Sequence, residues 1–209
     1  MKVTTAPGSG EITEKKSRFL ADVLPVHSAE EAENRIHEIQ KRYWDARHHC
    51  YAFVIGPHRE NSRCSDDGEP SGTAGKPILE VMNGASLTDT LIVVTRYFGG
   101  VLLGTGGLVR AYTQAAQAGL SNTPQAEQVF GRKISIDIDY TRFQILQHYF
   151  RQNNIITDDI EYGADVKVCL NIISTDIERI CCNITRITDG KAKITRGEEG
   201  FFLIRQLPV

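Results

Sequence analysis

The sequence predicts a two-domain α+β protein. The chain has 209 residues, which is more than most single domains need. A polar segment with a proline, residues 121–128, separates two stretches of helix and strand patterns. Beyond that segment the order of elements is β-α-β-β-α-β, which is typical of a ferredoxin-like domain. We therefore place an N-terminal domain at 1–124 and a ferredoxin-like C-terminal domain at 125–209.

Hydrophobic periodicity and capping residues predict the individual elements. The N-terminal stretch 11–26 is expected to be extended, with a turn near Lys15 and Lys16. Ser28 followed by Glu31 has the pattern of a capping box and opens a helix that continues to about residue 43. The other predicted elements are strands at 49–55, 90–98, 129–140, 154–162, 165–173 and 191–205, and helices at 78–83, 106–120, 142–153 and 176–188.

Composition and charge limit the classes of function that the protein can have. The formal net charge is −2, with 13 Lys and Arg against 14 Asp and Glu in residues 1–125, and 11 against 12 in residues 126–209. A protein that captures nucleic acid by charge alone has a surplus of Lys and Arg. Neither half has that surplus, so an RNA-binding role would need a local basic patch.

Cysteine usage and hydropathy indicate the compartment. The five cysteines include no CxxC pair, so we expect reduced thiols and no structural zinc site. No apolar run approaches the roughly 20 residues that a membrane span needs. No apolar signal core follows the first residues. The sequence therefore predicts a cytoplasmic protein without a membrane contact.

The glycine-rich segment 99–107 is the most informative motif, because it follows a strand and leads into a helix. Glycine lets a phosphate or another backbone come close, and a helix N-terminus attracts anions. The segment predicts either a phosphate or RNA-backbone contact or a tight packing corner. Nucleotide-binding fingerprints fail, because Val109 replaces the last glycine of GxGxxG. Pro70 and Pro77 likewise replace the Gly and Ser/Thr of a P-loop around Lys76.

Residues 56–77 are dominated by Gly, Pro, Ser and charged residues, which predicts a loop of about 20 residues. Loops of that length inside a compact domain are usually functional or disordered. Its acidic residues Asp66, Asp67 and Glu69 could hold a hard cation such as Mg²⁺. The alternative is an ordinary turn, in which Asp and Gly are common.

Residues 47–50 enter a predicted strand. Alternation places His48 and Cys50 on one face and Arg47 and His49 on the other. A cysteine–histidine nucleophile pair or a metal pair would use such residues, and a structural histidine is the simpler interpretation. Nearby cations could converge into one anion site or remain separate solvated side chains. These cations are Arg47, Lys76, Arg96 and Arg110.

Three motifs resemble the IMPACT family, also called the YigZ or YvyE group. They are residues 45–50 (DARHHC), 65–77 (SDDGEPSGTAGKP) and 96–108 (RYFGGVLLGTGGL), in the order that the family has them. The resemblance implies a first domain like the second domain of ribosomal protein S-five, a fold shared with domain four of elongation factor G. It implies a ferredoxin-like second domain, as in domain five of that factor. By analogy alone, this tandem order suggests contact with the ribosome or RNA.

The resemblance also limits what can be transferred. Eukaryotic members regulate translation by binding an activator of the starvation-responsive eIF-two-alpha kinase, largely through an additional N-terminal RWD domain. This sequence begins at the shared domain, so we expect that partner not to carry over. The family supplies no catalytic residues to transfer.

We predict a stress-related regulator of translation that binds the ribosome, RNA or a translation factor. The alternatives are an uncharacterised hydrolase-like enzyme that uses the 64–77 loop, and a protein–protein adaptor. No catalytic residue, metal ion, cofactor or DNA contact is predicted. The candidate residues for binding an anion, RNA or partner are Arg47, His48, His49, Ser65, Asp66, Asp67, Gly68, Glu69, Lys76, Arg96, Tyr97, Gly99, Gly100, Gly104, Thr105, Gly106, Gly107 and Arg110.

Overall fold

The computed structural model describes residues 1–204. The chain divides into two compact units, Met1–Glu127 and Gln128–Val209. Each unit combines a mostly antiparallel sheet with helices, so the α+β class expected from the sequence is confirmed. Strand β8, Gln125–Ile138, contains the boundary between the units. Within the part of the chain that is described, no helix is long and apolar enough to cross a membrane.

The first unit is built on a five-stranded antiparallel sheet in the order β2-β3-β7-β4-β5. Strand β7 is buried along nearly its whole length, as its β-branched sequence predicts. The elements of this sheet are β2 Gly8–Glu14, β3 Ser17–Pro25, β4 His48–Ile55, β5 Asn61–Ser65 and β7 Thr90–Tyr97.

Helices cover both faces of this sheet. Helix α1, Ala29–Arg42, packs on one face over a core that includes Phe53 and Leu91. Helices α2, Gly75–Gly84, and α3, Thr105–Ser121, pack on the other face over a core that includes Ile92. Strand alternation divides neighbouring residues between these two cores. The direction of a side chain along β4 or β7 therefore decides which helices it meets.

Two short strands complete the first unit. Strand β1, Lys2–Thr4, pairs in parallel with β6, Leu87–Thr88, and antiparallel with the first residues of β8. Sequence patterns missed both strands, because three and two residues are too short to show alternation. The polar segment 121–128 was expected to be irregular, but its residues 125–127 pair with β1.

The helix cap and the hairpin turn predicted in the first unit are both present in the structure. The Ser28 hydroxyl accepts the N–H of Glu31 at 3.1 Å, and the Glu31 carboxylate accepts the N–H of His27 at 2.8 Å. Lys15 and Lys16 form the β2–β3 turn, both with positive φ. The loop predicted at 56–77 was wrong in part, because it contains β5. All but one of the β5 residues are exposed, so they have no apolar alternation to signal a strand.

The second unit has the ferredoxin-like topology that the element order predicted. Its strands lie in the order β9-β10-β8-β11, with β10 antiparallel to both neighbours. The core joins alternate residues of β8 and β10 to apolar stripes of both helices. The elements after β8 are α4 Tyr140–Gln152, β9 Thr157–Tyr162, β10 Val166–Ile173, a 3-10 helix Ser174–Asp176, α5 Ile177–Ile187 and β11 Lys193–Ile204. The strand predicted at 191–205 extends to a residue outside the described chain.

Candidate functional site

Most of the predicted site residues lie at one end of the first unit. At this end β3 and β4 begin and β7 finishes, so that Arg96 pairs in register with both Phe19 and His48. Helices α2 and α3 also begin here: the turn before α2 contacts Tyr112 of α3, and Tyr112 packs on Phe19. The loops that precede both helices therefore meet above the ends of the central strands.

The acidic loop residues form a tight turn. Asp67 and Gly68 both have positive φ, 40° and 82°, and the N–H of Glu69 donates to the carbonyl of Asp66 at 2.9 Å. Two central residues with positive φ are the signature of a type I′ turn, which favours Asp-Gly. The Ser65 hydroxyl accepts the N–H of Asp67 at 3.2 Å. The turn interpretation of this segment is therefore correct.

The Asp66 carboxylate holds the start of helix α2. It accepts the backbone N–H groups of Gly72, Ala74 and Gly75 at 2.8–2.9 Å. Desolvation by itself would raise the pKa of this carboxyl, but the three N–H donors together hold the pKa below its ordinary value. Asp66 thus supplies the negative charge that the helix N-terminus attracts.

The Glu69 carboxylate anchors a buried polar network. Its Oε1 accepts from Arg96 Nη1 at 2.6 Å and from the Tyr112 hydroxyl at 2.8 Å. The side chains of Glu69 and Arg96 are only 4% and 7% exposed. The Arg96 guanidinium also lies over the rings of Phe19 and Phe98, at 5.4 and 5.6 Å from their centroids. Arg96 is therefore a structural cation at this end, and its charge is balanced inside the protein.

The cysteine next to this network is not an activated nucleophile. The Cys50 thiol donates to the Asp66 carbonyl at 3.0 Å and lies 3.3 Å from the Tyr112 hydroxyl. Burial is the main cause that raises the pKa of the Cys50 thiol far above its ordinary range. The thiol is therefore protonated, and His48 is not hydrogen-bonded to it.

The two histidines have separate structural partners. The ring Nδ1 of His48 lies 2.8 Å from the Asp67 carbonyl. On the opposite face, His49 Nε2 lies 3.1 Å from the Tyr43 carbonyl, and its backbone N–H donates to the Asp67 carboxylate at 2.6 Å. Backbone carbonyls therefore orient both histidine rings. Tyr97 also lies on this opposite face.

The Tyr97 hydroxyl donates to Asp45 Oδ1 at 2.7 Å. That hydrogen bond is the main cause that raises the pKa of the Tyr97 phenol. The acidic residues of the loop have different partners, so they do not converge on one point. Among residues 1–204, no three His, Cys, Asp or Glu side chains are placed to hold a metal ion.

The glycine-rich segment combines a close backbone approach with an open helix start. The Gly99 N–H donates to the Ser17 hydroxyl at 3.1 Å. A Cβ on Gly99 would lie 2.0 Å from the carbonyl carbon of Lys16, so only glycine fits. Gly100 and Gly104 have positive φ, 85° and 73°.

Helix α3 begins at Thr105 and has neither a capping side chain nor an acidic residue in its first turn. Gly106 and Gly107 reduce the number of side chains in that turn to those of Thr105 and Leu108. The glycine segment therefore fits both interpretations, a packing corner at Gly99 and an open N-terminus at α3. This differs from α2, whose N-terminus is already occupied by Asp66.

Three of the four predicted cations are exposed at this end. Arg47 precedes β4, Lys76 is the second residue of α2, and Arg110 lies in the second turn of α3. None of these side chains has a hydrogen-bond or ion-pair partner in the described part of the chain. The fourth cation, Arg96, is neutralised by Glu69.

Sequence reasoning missed that three large apolar residues at the start of the glycine-rich region are exposed. Phe98, Val101 and Leu102 are 51%, 44% and 83% exposed. The available signal was a run of large apolar residues in a segment with too many glycines for a strand or helix. We call the surface formed by segment 98–107 and Arg110, whose Nη1 would lie 3.9 Å from a Cβ at position 106, the glycine-loop face.

Comparisons with known proteins agree with this architecture. Residues 15–120 match the family model of the Impact N-terminal domain, and residues 136–191 match that of a domain of unknown function (DUF1949). The chain is 38% identical over 191 residues to IMPACT family member YvyE of Bacillus subtilis, covering 91% of this chain and 88% of that protein.

More distant matches extend the same result. Protein IMPACT-A of Xenopus tropicalis is 37% identical over 99 residues, which cover 44% of this chain and 30% of that protein. A solved structure titled as the crystal structure of a hypothetical protein is 28% identical, with a TM-score of 0.58, covering 92% of this chain and 95% of that one. The chain belongs to the IMPACT family.

Proposed function

We propose that this protein regulates translation by binding RNA, on the ribosome or free, through the glycine-loop face. The observation that carries the proposal is the open start of α3 with the exposed, unpaired Arg110 beside it. Arg47 and Lys76 are further exposed cations at the same end of the unit. Elsewhere in the first unit, arginines of this kind are paired, as Arg18 is with Glu11 and Arg63 with Glu33. Unpaired cations attract phosphate even when the net charge of the protein is near zero.

The open start of α3 adds a second anion-binding element. Its first backbone N–H groups point out of the helix and carry the positive end of the helix dipole. Thr105 and Gly106 are exposed, and Arg110 Nη1 would lie 3.9 Å from a Cβ at position 106. A phosphate at this turn would therefore meet backbone donors and a guanidinium together.

The enzyme alternative has no geometric support. A hydrolase that used the 64–77 loop would need a free carboxylate, but Asp66 and Asp67 accept backbone N–H groups and Glu69 is paired with Arg96. A nucleophilic Cys50 would need a lowered thiol pKa, and burial raises it. The adaptor alternative keeps one supporting observation, the exposed apolar patch.

The test is RNA and ribosome binding across a salt series. Fluorescence anisotropy with a labelled 12-nucleotide RNA gives the affinity, and co-sedimentation with ribosomes tests the cellular target. Three phosphate contacts to a single strand predict a log–log salt slope of about −2, at about −0.7 per contact. Lys76→Gln and Arg110→Gln should each reduce the slope by about 0.7.

Matched charge changes elsewhere separate this face from general electrostatics. Arg151 and Lys191 are exposed residues of the second unit, and Arg151→Gln or Lys191→Gln should leave the slope unchanged. Absence of binding to RNA and ribosomes at low salt would refute the proposal. Ribosome binding that persists at high salt with no RNA binding would favour the adaptor alternative.

A further inference from the structure

The glycine-loop face includes an exposed aromatic ring. Phe98 is half exposed and lies between the end of β7 and the glycine segment. Val101 and Leu102, which follow in the same segment, are exposed as well. Large apolar side chains that cluster on a surface usually mark a contact with another molecule. The charge of the unpaired Arg110, near the other end of the same segment, restricts what that molecule can be.

The ring of Phe98 is held in place from below. The guanidinium of Arg96 lies 5.6 Å from its centroid and is itself fixed by the buried carboxylate of Glu69. The next residue, Gly99, is held by its hydrogen bond to Ser17 and by backbone contact with Lys16. An aromatic side chain that is already ordered loses little conformational entropy when a partner binds.

We infer that the RNA bound at this face is single-stranded and that one of its unpaired bases stacks on Phe98. This inference rests on the proposed function and names its ligand more closely. In a duplex the flat faces of the bases are covered by their neighbours, so only phosphates and sugars could reach this surface. A single strand offers bases to the aromatic ring and phosphates to the surrounding cations.

The charge of the neighbouring residues and the small size of the apolar patch favour single-stranded RNA over other occupants. Arg110 Nη1 lies near the first turn of α3, and the exposed residue Lys16 contacts Gly99 through its backbone, so a cationic residue lies near each end of the glycine segment. The patch has three apolar side chains, of which one is aromatic. Cations together with a stacking ring are the combination that binds single-stranded nucleic acid.

The experiment compares four RNA probes of equal length with the full-length protein. They are an oligoadenylate, an oligouridylate, a blunt duplex, and an oligonucleotide with the same phosphates but no bases. Base stacking on one aromatic residue predicts that the oligoadenylate binds about 5- to 150-fold more tightly than the abasic probe. The duplex should bind no better than the abasic probe.

Variants of Phe98 assign the effect to the ring. Phe98→Ala and Phe98→Leu should both reduce oligoadenylate affinity toward that of the abasic probe, whereas Phe98→Trp should retain it. Phe98→Leu separates stacking from apolar contact, because leucine is apolar but has no aromatic face. Tyr162→Ala removes an aromatic residue that is 63% exposed in the second unit and should change nothing.

A fluorescence measurement tests stacking independently of affinity. Trp44 is the single tryptophan of the chain, so Phe98→Trp combined with Trp44→Phe places the only indole at the proposed contact. Oligoadenylate should quench this indole, and the abasic probe should not.

The two proposals fail in different ways. Equal binding of abasic, duplex and oligoadenylate probes, with no effect of Phe98→Ala, would overturn the stacking inference and leave RNA binding through phosphates standing. Failure of every probe to bind the wild-type protein would overturn both.

Discussion

Removal of the Glu69 side chain should destabilise the first unit more than any surface ion-pair change. In Glu69→Ala, the Arg96 guanidinium would lose its counter-charge while its side chain stays about 93% buried. Its Nε already has no hydrogen-bond partner within the described chain. The Tyr112 hydroxyl would lose an acceptor as well. Breaking a buried ion pair from one side costs about 3–5 kcal/mol, because it leaves an unpaired charge in the interior.

The assay should report each unit separately, because a two-unit protein need not unfold in one step. Cys50 is fully buried in the first unit, and Cys181 is 7% exposed in the second. Pulsed alkylation across a urea series, read by mass spectrometry, gives a midpoint for each thiol and a free energy of unfolding for each unit. Glu69→Ala should lower the Cys50 midpoint.

A surface carboxylate provides the matched control. Glu33 pairs with Arg63 at 2.9 Å, but both side chains are more than half exposed. Glu33→Ala should therefore cost less than about 1 kcal/mol. If Glu69→Ala costs no more than Glu33→Ala, then the network does not stabilise the unit as argued.

Three further predictions test the loops around the same end. Asp66→Ala should cost about 0.5–2 kcal/mol through loss of the α2 cap, measured by urea denaturation. The pKa of Asp66 is lower in the folded state than in the unfolded state, where it is about 3.9. The ionised carboxylate therefore adds its full share to the free energy of unfolding above that pH, and this share is lost as the pH falls through the folded pKa. The free energies of unfolding of the variant and the wild type should converge in acid. Gly99→Ala should cost at least about 1–3 kcal/mol by overpacking, whereas Gly84→Ala, with open space at its Cβ, should be near neutral in thermal melts. In the native protein, iodoacetamide should label Cys64 and leave Cys50 unmodified, and labelling of Cys50 without denaturant would contradict its burial.

The sequence predicted those helices and strands in which apolar residues follow the pattern of the element. Helix α1 and strand β7 both bury residues at the spacing that their patterns show. Strand β5 was missed because its residues are polar and almost all exposed, so they have no buried face. The motifs also identified the exposed cations, since Arg47 and Lys76 lie within two of them and Arg110 shortly follows the third.

The sequence could not predict the network that fixes those loops. Glu69 and Tyr112 are 43 positions apart, and a tyrosine in an apolar helical stripe is normally interpreted as a core residue. Arg96 was expected to face an anion, but its partner is Glu69. Which charges neutralise one another depends on strand register and helix position, and these are set by the packing of the whole unit.

The pairing of β1 with residues 125–127 means that the first unit is closed by the two ends of its own chain. Its opening strand lacks one neighbour until those residues have been synthesised, so closure is a late and non-local step of folding. A fragment limited to residues 15–120 would lack both partners of that closure. Lys2 and Glu127 are paired, so the two ends of the first unit lie side by side. In an isolated first unit these ends could be joined and new termini opened in an exposed turn, and such a circular permutant should keep the fold.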